Sequence, residues 1–446
     1  MAYPAEPSDQ PDPTDRPTDR PTDRPTDRPT DRPTYANDRP GAAPRRTGPL
    51  AGVRVLDLTA VVLGPLATQI LGDYGADVIK VEAPEGDLMR ANGVSRVRGL
   101  SSIFLAINRN KRSLAIDLKQ PAGVDAIKRL LPTVDVLVHN MRTAAMERLG
   151  LGYAACAAVN PRLLYCVATG FGESGPDAGK PAFDDVIQAA CGLASLLGDE
   201  DGQPAYVPSL IADKTTGLAL ANAVLAALFE RSRSDQGQFV EVPMFETMVA
   251  FTLAEHLGGR SYEPAIGPAG YARLLAGGRK PAPTRDGHVA LLPYTAEHWR
   301  KLFGRVGRHD LSEKYAVDDR HARNARFKEM YADMAAITRT MSTAELLALC
   351  AELDIPATRI HAIDELPEHP HLKAVGLFQA QLHPTAGAIV AVRPATLFAR
   401  TPAELALPAP TLGQHSVAVL QEAGFSATEI AALQADKVIS TQETSA

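Results

Sequence analysis

Val53-Arg54-Val55-Leu56-Asp57-Leu58 and Asp77-Val78-Ile79-Lys80-Val81-Glu82 decide the reading of the fold. Each is a short, mostly apolar run suited to a strand buried on both faces. Between them, Pro65–Tyr74 reads as a helix with Pro in its first turn and Gly75 at its end. Together they form one βαβ unit. The theme then recurs: strands are expected at Ser113–Leu118, Val134–His139, Arg162–Thr169 and Gln238–Val242. Helices are expected at Pro121–Leu131, Asp184–Leu197 and Asp213–Phe229. This alternation predicts an α/β fold with a parallel sheet covered by helices on both faces. A second, smaller α/β region follows the Gly/Pro-rich stretch 258–283. Its strands are expected at Gly287–Leu292, Ala357–Ile363 and Ala388–Val392, and its helices at Ala296–Phe303, Ala322–Thr338 and Thr343–Leu353. Helical patterns return over Thr411–Leu433. The domain reading is therefore 1–47 tail, 48–257 large domain, 258–283 linker, 284–395 small domain and 396–446 C-terminal segment.

The tail stands apart. Pro13–Arg32 is five copies of Pro-Thr-Asp-Arg, and residues 1–47 hold no Leu, Ile, Val, Phe or Trp. Such a segment cannot bury enough apolar surface to offset its ordering entropy, so it reads as an extended, solvated arm. Of the net charge of −6, nine acidic and eight basic tail residues account for −1, leaving −5 on the rest. A mildly acidic body argues against a dedicated nucleic-acid binder. No run reaches the ~18 apolar residues of a membrane span, and no apolar segment of a secretory signal is visible, so a cytoplasmic protein is expected. The four cysteines, Cys156, Cys166, Cys191 and Cys350, have no CxxC spacing and read as reduced core thiols.

Several residues could carry chemistry. There is no GxGxxG, no P-loop and no GxSxG, which removes the commonest nucleotide and serine-hydrolase sites. Asn108-Arg109-Asn110-Lys111-Arg112 concentrates cations and amides in a loop before a strand; it could pair with phosphates or remain solvated. Arg142 and Arg148 follow the strand ending at Asn140, at the edge where open α/β sheets bind ligands. Asp184 and Asp213 each open a helix. An Asp there is either an N-cap or a carboxylate presented at the sheet edge, where it could attack an activated acyl group. Arg273, Arg279 and Lys280 could meet a dicarboxylate or stay solvated. Glu368-His369-Pro370-His371 lacks the partners of a metal site, and no metal is expected.

Taken in order, Leu50–Thr59, Gly75–Glu82, Asn108–Ser113, Asp135–Asn140, Gly170–Pro176, Asp184–Gly192, Ala212–Gly217, Arg231–Gln238 and Leu412–His415 resemble the family III CoA-transferases, relatives of α-methylacyl-CoA racemase. The resemblance implies a Rossmann-like large domain, a small α/β domain, an interlocked homodimer and coenzyme A thioester chemistry. It implies Asp213 as nucleophile and Asp184 as its acidic neighbour. It implies CoA contacts at Val61, Val62, Leu63, Ile107, Asn108, Arg109, Asn110, Asn140, Met141, Arg142 and Arg148, and a substrate loop at Gly277 and Gly278. The partners expected are an acyl-CoA and a small carboxylic acid, with no nucleic acid or membrane. The racemases place a His where this chain has Phe183, and Phe cannot move a proton, which favours transfer over racemisation. The remaining alternatives are an acyl-CoA racemase, a non-catalytic CoA-binding protein, or a protein acting through its tail.

Overall fold

A computed structural model describes residues 47–198, 202–275 and 279–441. Among these residues, seven strands form one sheet, in the order β12-β3-β2-β1-β4-β5-β6. Its strands are β1 (Arg54–Leu58), β2 (Asp77–Glu82), β3 (Lys111–Ile116), β4 (Val136–His139), β5 (Leu164–Thr169) and β6 (Gln238–Pro243), with β12 (Ile439–Ser440) at one edge. The six longer strands are parallel, and β12 runs antiparallel to β3. The helices that matter for the site are α1 (Leu63–Asp73), α2 (Ser102–Ile107), α3 (Pro121–Leu130), α4 (Thr143–Arg148), α5 (Tyr153–Val159), α6 (Asp184–Ala190), α7 (Leu193–Leu196), α8 (Ile211–Ser234) and α9 (Met244–His256).

The period of two along each strand feeds two cores. Leu56, Leu58, Ile79, Val81 and Leu137 join one with α3 and the C-terminal residues Val419, Leu420, Ile430 and Ile439. Val55, Val78, Val136, Val138 and Leu164 join the other with α1, α6, α8 and α9. A sheet apolar on both faces requires helices on both faces, which is why its strands read as continuous apolar runs. Burying a Leu such as Leu56, fully covered here, contributes about 1.5–3 kcal/mol.

The element reading holds for most of the large sheet, with corrections. The third strand starts two residues early, at Lys111, because two cations read as loop are buried in ion pairs. Lys111 reaches Asp57 at 3.0 Å, and Arg112 reaches Asp77 at 2.6 Å and Glu422 at 2.8 Å. The expected helix Asp184–Leu197 breaks into α6 and α7 at Gly192, whose φ of +83° suits glycine. The helix expected over Asp213–Phe229 extends at both ends into α8, which spans 24 residues. That helix matches a membrane span in length and mean hydropathy, against the expectation of none. Here it is a packing helix between α1 and α9, with Leu220 and Val224 fully buried.

Beyond the large sheet, β7 (Ala282–Pro283), β8 (His288–Leu291) and β9 (Ala357–Arg359) form an antiparallel sheet over a core of Trp299, Phe303, Tyr315 and Met330. The expected helix Ala322–Thr338 is two, Arg320–Ala325 and Phe327–Thr338. The strand β11 (Gly387–Val392) pairs with β10 (Phe378–His383), which the sequence reading did not assign. The chain then returns to the large sheet. His415 exchanges backbone and ring hydrogen bonds with Ser113, and the Ser416 hydroxyl accepts from the Ala115 N–H at 3.1 Å.

Candidate active site

The strand order reverses direction between β1 and β4, so the loops leaving these two strands diverge and open a crevice at their C-terminal ends. Asn140, just past β4, clamps the β1 loop. Its Oδ1 accepts the Ala60 N–H at 3.0 Å, and its Nδ2 donates to the Ala60 carbonyl at 2.8 Å. The next residue, Val61, sits at φ +72°, a conformation rare for a β-branched side chain. Its N–H donates to Asp87 Oδ1 at 3.2 Å. Asp87 is held by Lys80 Nζ at 2.9 Å, which also donates to the Thr59 carbonyl at 2.9 Å. Below the loop, Asp57 accepts from Thr59, Thr68 and Lys111. Burial pushes the Asp57 carboxyl up, but the Lys111 and Lys80 charges outweigh it and hold the pKa at about 2. Burial brings Lys111 down to about 8, against the pull of Asp57. A strained loop persists only where its surroundings fix it, and here charged, fully covered side chains do so.

The two carboxylates meet across helix starts. Asp184 is the first residue of α6, and Asp213 lies in the first turn of α8. Asp184 Oδ2 accepts the Asp213 backbone N–H at 2.9 Å. Its Oδ1 accepts from Gln188 Nε2 at 2.6 Å, one turn along, and Gln188 Oε1 accepts the Val207 N–H at 2.9 Å. Asp184 therefore ties the two helix N-termini together. The Asp213 residue is 8% exposed, and among the described residues its carboxyl takes no hydrogen bond. Burial raises its pKa to about 7, with the Asp184 charge adding to the rise. One turn on, a Cβ at Gly217 would lie 2.7 Å from the Leu63 carbonyl. That close approach of α8 to α1 brings Asp213 beside the β1 loop.

Two cavities flank the crevice. One, about 440 Å³, is lined by Val61, Leu63, Arg142, Lys180, Phe183 and Asp213 among others. The other, about 560 Å³, lies across the ends of β1, β2, β3 and β4 and includes Arg148. Ala60, Asn140 and Met141 line both, so the two form one trough over the switch point. The chain thus gathers Val61, Leu63, Asn140, Met141, Arg142, Arg148 and Asp213 along a single groove, with Asp184 beneath it. Val62 is 4% exposed and turns into a separate apolar cluster with Met89, Leu100 and Phe104.

Ile107, Asn108, Arg109 and Asn110 are not brought there, which corrects the sequence expectation. They precede β3 and so lie at the opposite edge of the parallel sheet. Arg109 pairs with Asp73 at 2.6 Å, Asn110 bonds Asp73 and the Glu404 carbonyl, and Asn108 accepts from Lys111. Ile107 joins the Phe104 cluster. The cations and amides read as a phosphate loop are spent on holding α1 and the returning chain. Gly277 and Gly278 lie outside the described residues. The sequence reading missed Ile116–Lys119, Glu82 and Asp87 in the trough walls. Their signal was available, since Asp117–Lys119 follow a strand end just as Asn140 does. Phe183 is 63% exposed and lines the Asp213 cavity with a ring that cannot carry a proton. Among the described residues no group of three or more His, Cys, Asp or Glu is placed to hold a metal ion.

With this geometry in place, comparison with known proteins assigns the class: residues 50–416 match CoA-transferase family III, and the chain belongs to that family. It is 34% identical over 390 residues to the succinate–glutarate CoA-transferase of Agrobacterium fabrum, covering 85% of this chain and 96% of that one. It is 30% identical over 422 residues to the formyl-CoA:oxalate CoA-transferase of Escherichia coli O157:H7, covering 88% and 99%. Among solved structures, Rv3272 from Mycobacterium tuberculosis superposes with a TM-score of 0.73 at 30% identity, over 83% of this chain and 99% of that chain. A CAIB/BAIF family protein from Brucella suis gives 0.72 at 28% identity, over 85% and 100%.

Proposed function

We infer that this protein moves coenzyme A from an acyl-CoA donor to a small carboxylic acid through covalent intermediates on Asp213. The Asp213 carboxylate attacks the donor thioester carbonyl, CoA leaves as thiolate, and a mixed anhydride forms. The thiolate then attacks the aspartyl carbonyl, releasing the donor acid and leaving an aspartyl-CoA thioester. The acceptor carboxylate attacks that thioester and the two steps run in reverse. One thioester is exchanged for another, so the balance closes without an added oxidant, reductant or nucleoside triphosphate. The observation that carries this reading is a carboxyl buried in the crevice wall, free of hydrogen bonds from the described residues, with its pKa near 7. Desolvation leaves the ionised form a stronger nucleophile than a hydrated carboxylate. Asp213 lies in the first turn of α8, where the positive end of the helix dipole favours developing negative charge.

Names of relatives suggest the acceptor class: succinate, glutarate, citramalate and oxalate appear among them, all dicarboxylates. The CoA moiety is assigned to the trough between Arg142 and Arg148. A homodimer is also proposed, supported by outward apolar residues on α8 and α9, including Leu218, Phe229 and Phe251. The decisive test is Asp213→Ala assayed with labelled CoA: transfer should disappear while CoA binding is retained. Exchange at the wild-type rate would reject the nucleophile. A panel of acyl-CoA donors and acids, read by mass for new thioesters, identifies the pair.

A further inference from the structure

Away from Asp213, Arg273 lies on the short helix Ala272–Leu275. Its guanidinium carbon is 4.7 Å from the centre of the Tyr294 ring and 4.5 Å from that of Phe327, so two aromatic rings hold it in place. Its Nε and Nη2 are buried, and among the described residues neither has a hydrogen-bond partner. The Tyr331 hydroxyl and Arg323 Nε are in the same state, on residues that are 4% and 8% exposed. Arg323 spends Nη1 on the Val317 carbonyl, which leaves Nε unmet. The charges of Arg273 and Arg320 bear on Arg323, and those of Arg273 and Arg279 bear on the Tyr331 phenol, which the Arg273 side chain also approaches directly without reaching strict hydrogen-bond geometry. The acidic groups nearest Arg323 are engaged elsewhere. Asp318 pairs with Arg300 at 3.1 Å, and Asp319 caps the helix Arg320–Ala325. Tyr331 also lines a cavity of about 360 Å³, whose other ionisable lining residues, Lys280, His288, Lys328 and Arg339, include no carboxylate.

Buried N–H and O–H donors are almost always satisfied, and each one left unmet costs about 1–3 kcal/mol. Converging cations add mutual repulsion. One oxyanion would answer both, because a guanidinium fork fits a carboxylate or a phosphate. We propose that Arg273, Arg323 and Tyr331 form an oxyanion subsite for a substrate group. Resting on the CoA-transfer reading, that group is either a carboxylate of the acid substrate or a phosphate of CoA.

Calorimetric titration of the full chain with glutarate and with adenosine 3′,5′-bisphosphate separates the two sources. Arg273→Lys keeps the charge and removes the fork. It should weaken one probe tenfold or more, and the affected probe names the source. A loss of threefold or more for either probe supports the subsite. A smaller loss for both, or no binding of either probe by the wild type, overturns it. If Arg273→Lys does not fold by circular dichroism, Tyr331→Phe, which removes only the hydroxyl, is judged by the same thresholds. Neither probe carries a thioester, so the titration is independent of turnover. Failure of the Asp213 chemistry leaves it standing, and failure of the titration leaves Asp213 standing.

Discussion

Replacing Asp213 with Asn should abolish transfer and at the same time make the protein harder to unfold at pH 8. Folding moves this carboxyl from 3.8 to about 7. Between those values the folded state keeps a proton that the unfolded chain has already released. Stability therefore falls as pH rises through the window, and the full penalty is present above pH 7. Three units correspond to roughly 4 kcal/mol. The cavity side admits solvent, so about 2–4 kcal/mol is the working range. For the unit Arg45–Ala446, an unfolding entropy of roughly 0.8 kcal/mol/K converts this to a rise of about 2–5 °C in Tm at pH 8. Asn carries no charge, so the gain should shrink to a small remainder near pH 4, where the folded carboxyl is neutral and the unfolded one is only about half ionised. Differential scanning calorimetry of both proteins at the two pH values measures this directly. A Tm difference that does not change with pH, or a variant less stable at pH 8, would refute the argument that burial strains this group for function.

Other consequences follow from the same contacts. Single-turnover acylation of the enzyme should rise with pH to a plateau above about 7, as Asp213 ionises; a flat profile from pH 5 to 9 would contradict this. Asp87→Ala releases the Val61 N–H and Lys80, so the donor KM should increase about tenfold, the equivalent of ~1.4 kcal/mol, with kcat changing less. Lys111→Met removes the cation that pairs directly with buried Asp57 and should cost about 3–5 kcal/mol by urea unfolding. Gly217→Ala places a methyl 2.7 Å from the Leu63 carbonyl, so it should lower Tm and disturb transfer together.

The parallel sheet was legible because its strands are buried on both faces and its helices are marked by Pro and Gly. Asp77–Glu82 is a strand over the same residues that its apolar pattern indicates. Asp184 and Asp213 were legible as helix openings but not as neighbours. Only the packing of α6 against α8 delivers the Asp213 N–H to Asp184. Asn108–Arg112 misled because local composition cannot distinguish a cation awaiting a phosphate from one already paired. Their partners, Asp57, Asp73, Asp77 and Glu422, are 35 or more positions away in sequence, the last on the returning C-terminal segment. The raised Asp213 pKa was likewise invisible, since it comes from burial and from a carboxylate 29 positions earlier.

The central claim is that Asp213 becomes covalently acylated. Hydroxylamine added during turnover, followed by peptide mass mapping, tests it most directly. The account predicts a hydroxamate on Asp213 that appears only when an acyl-CoA donor is present. A hydroxamate on another residue, or continued transfer with Asp213 left unmodified and no inhibition, would contradict it.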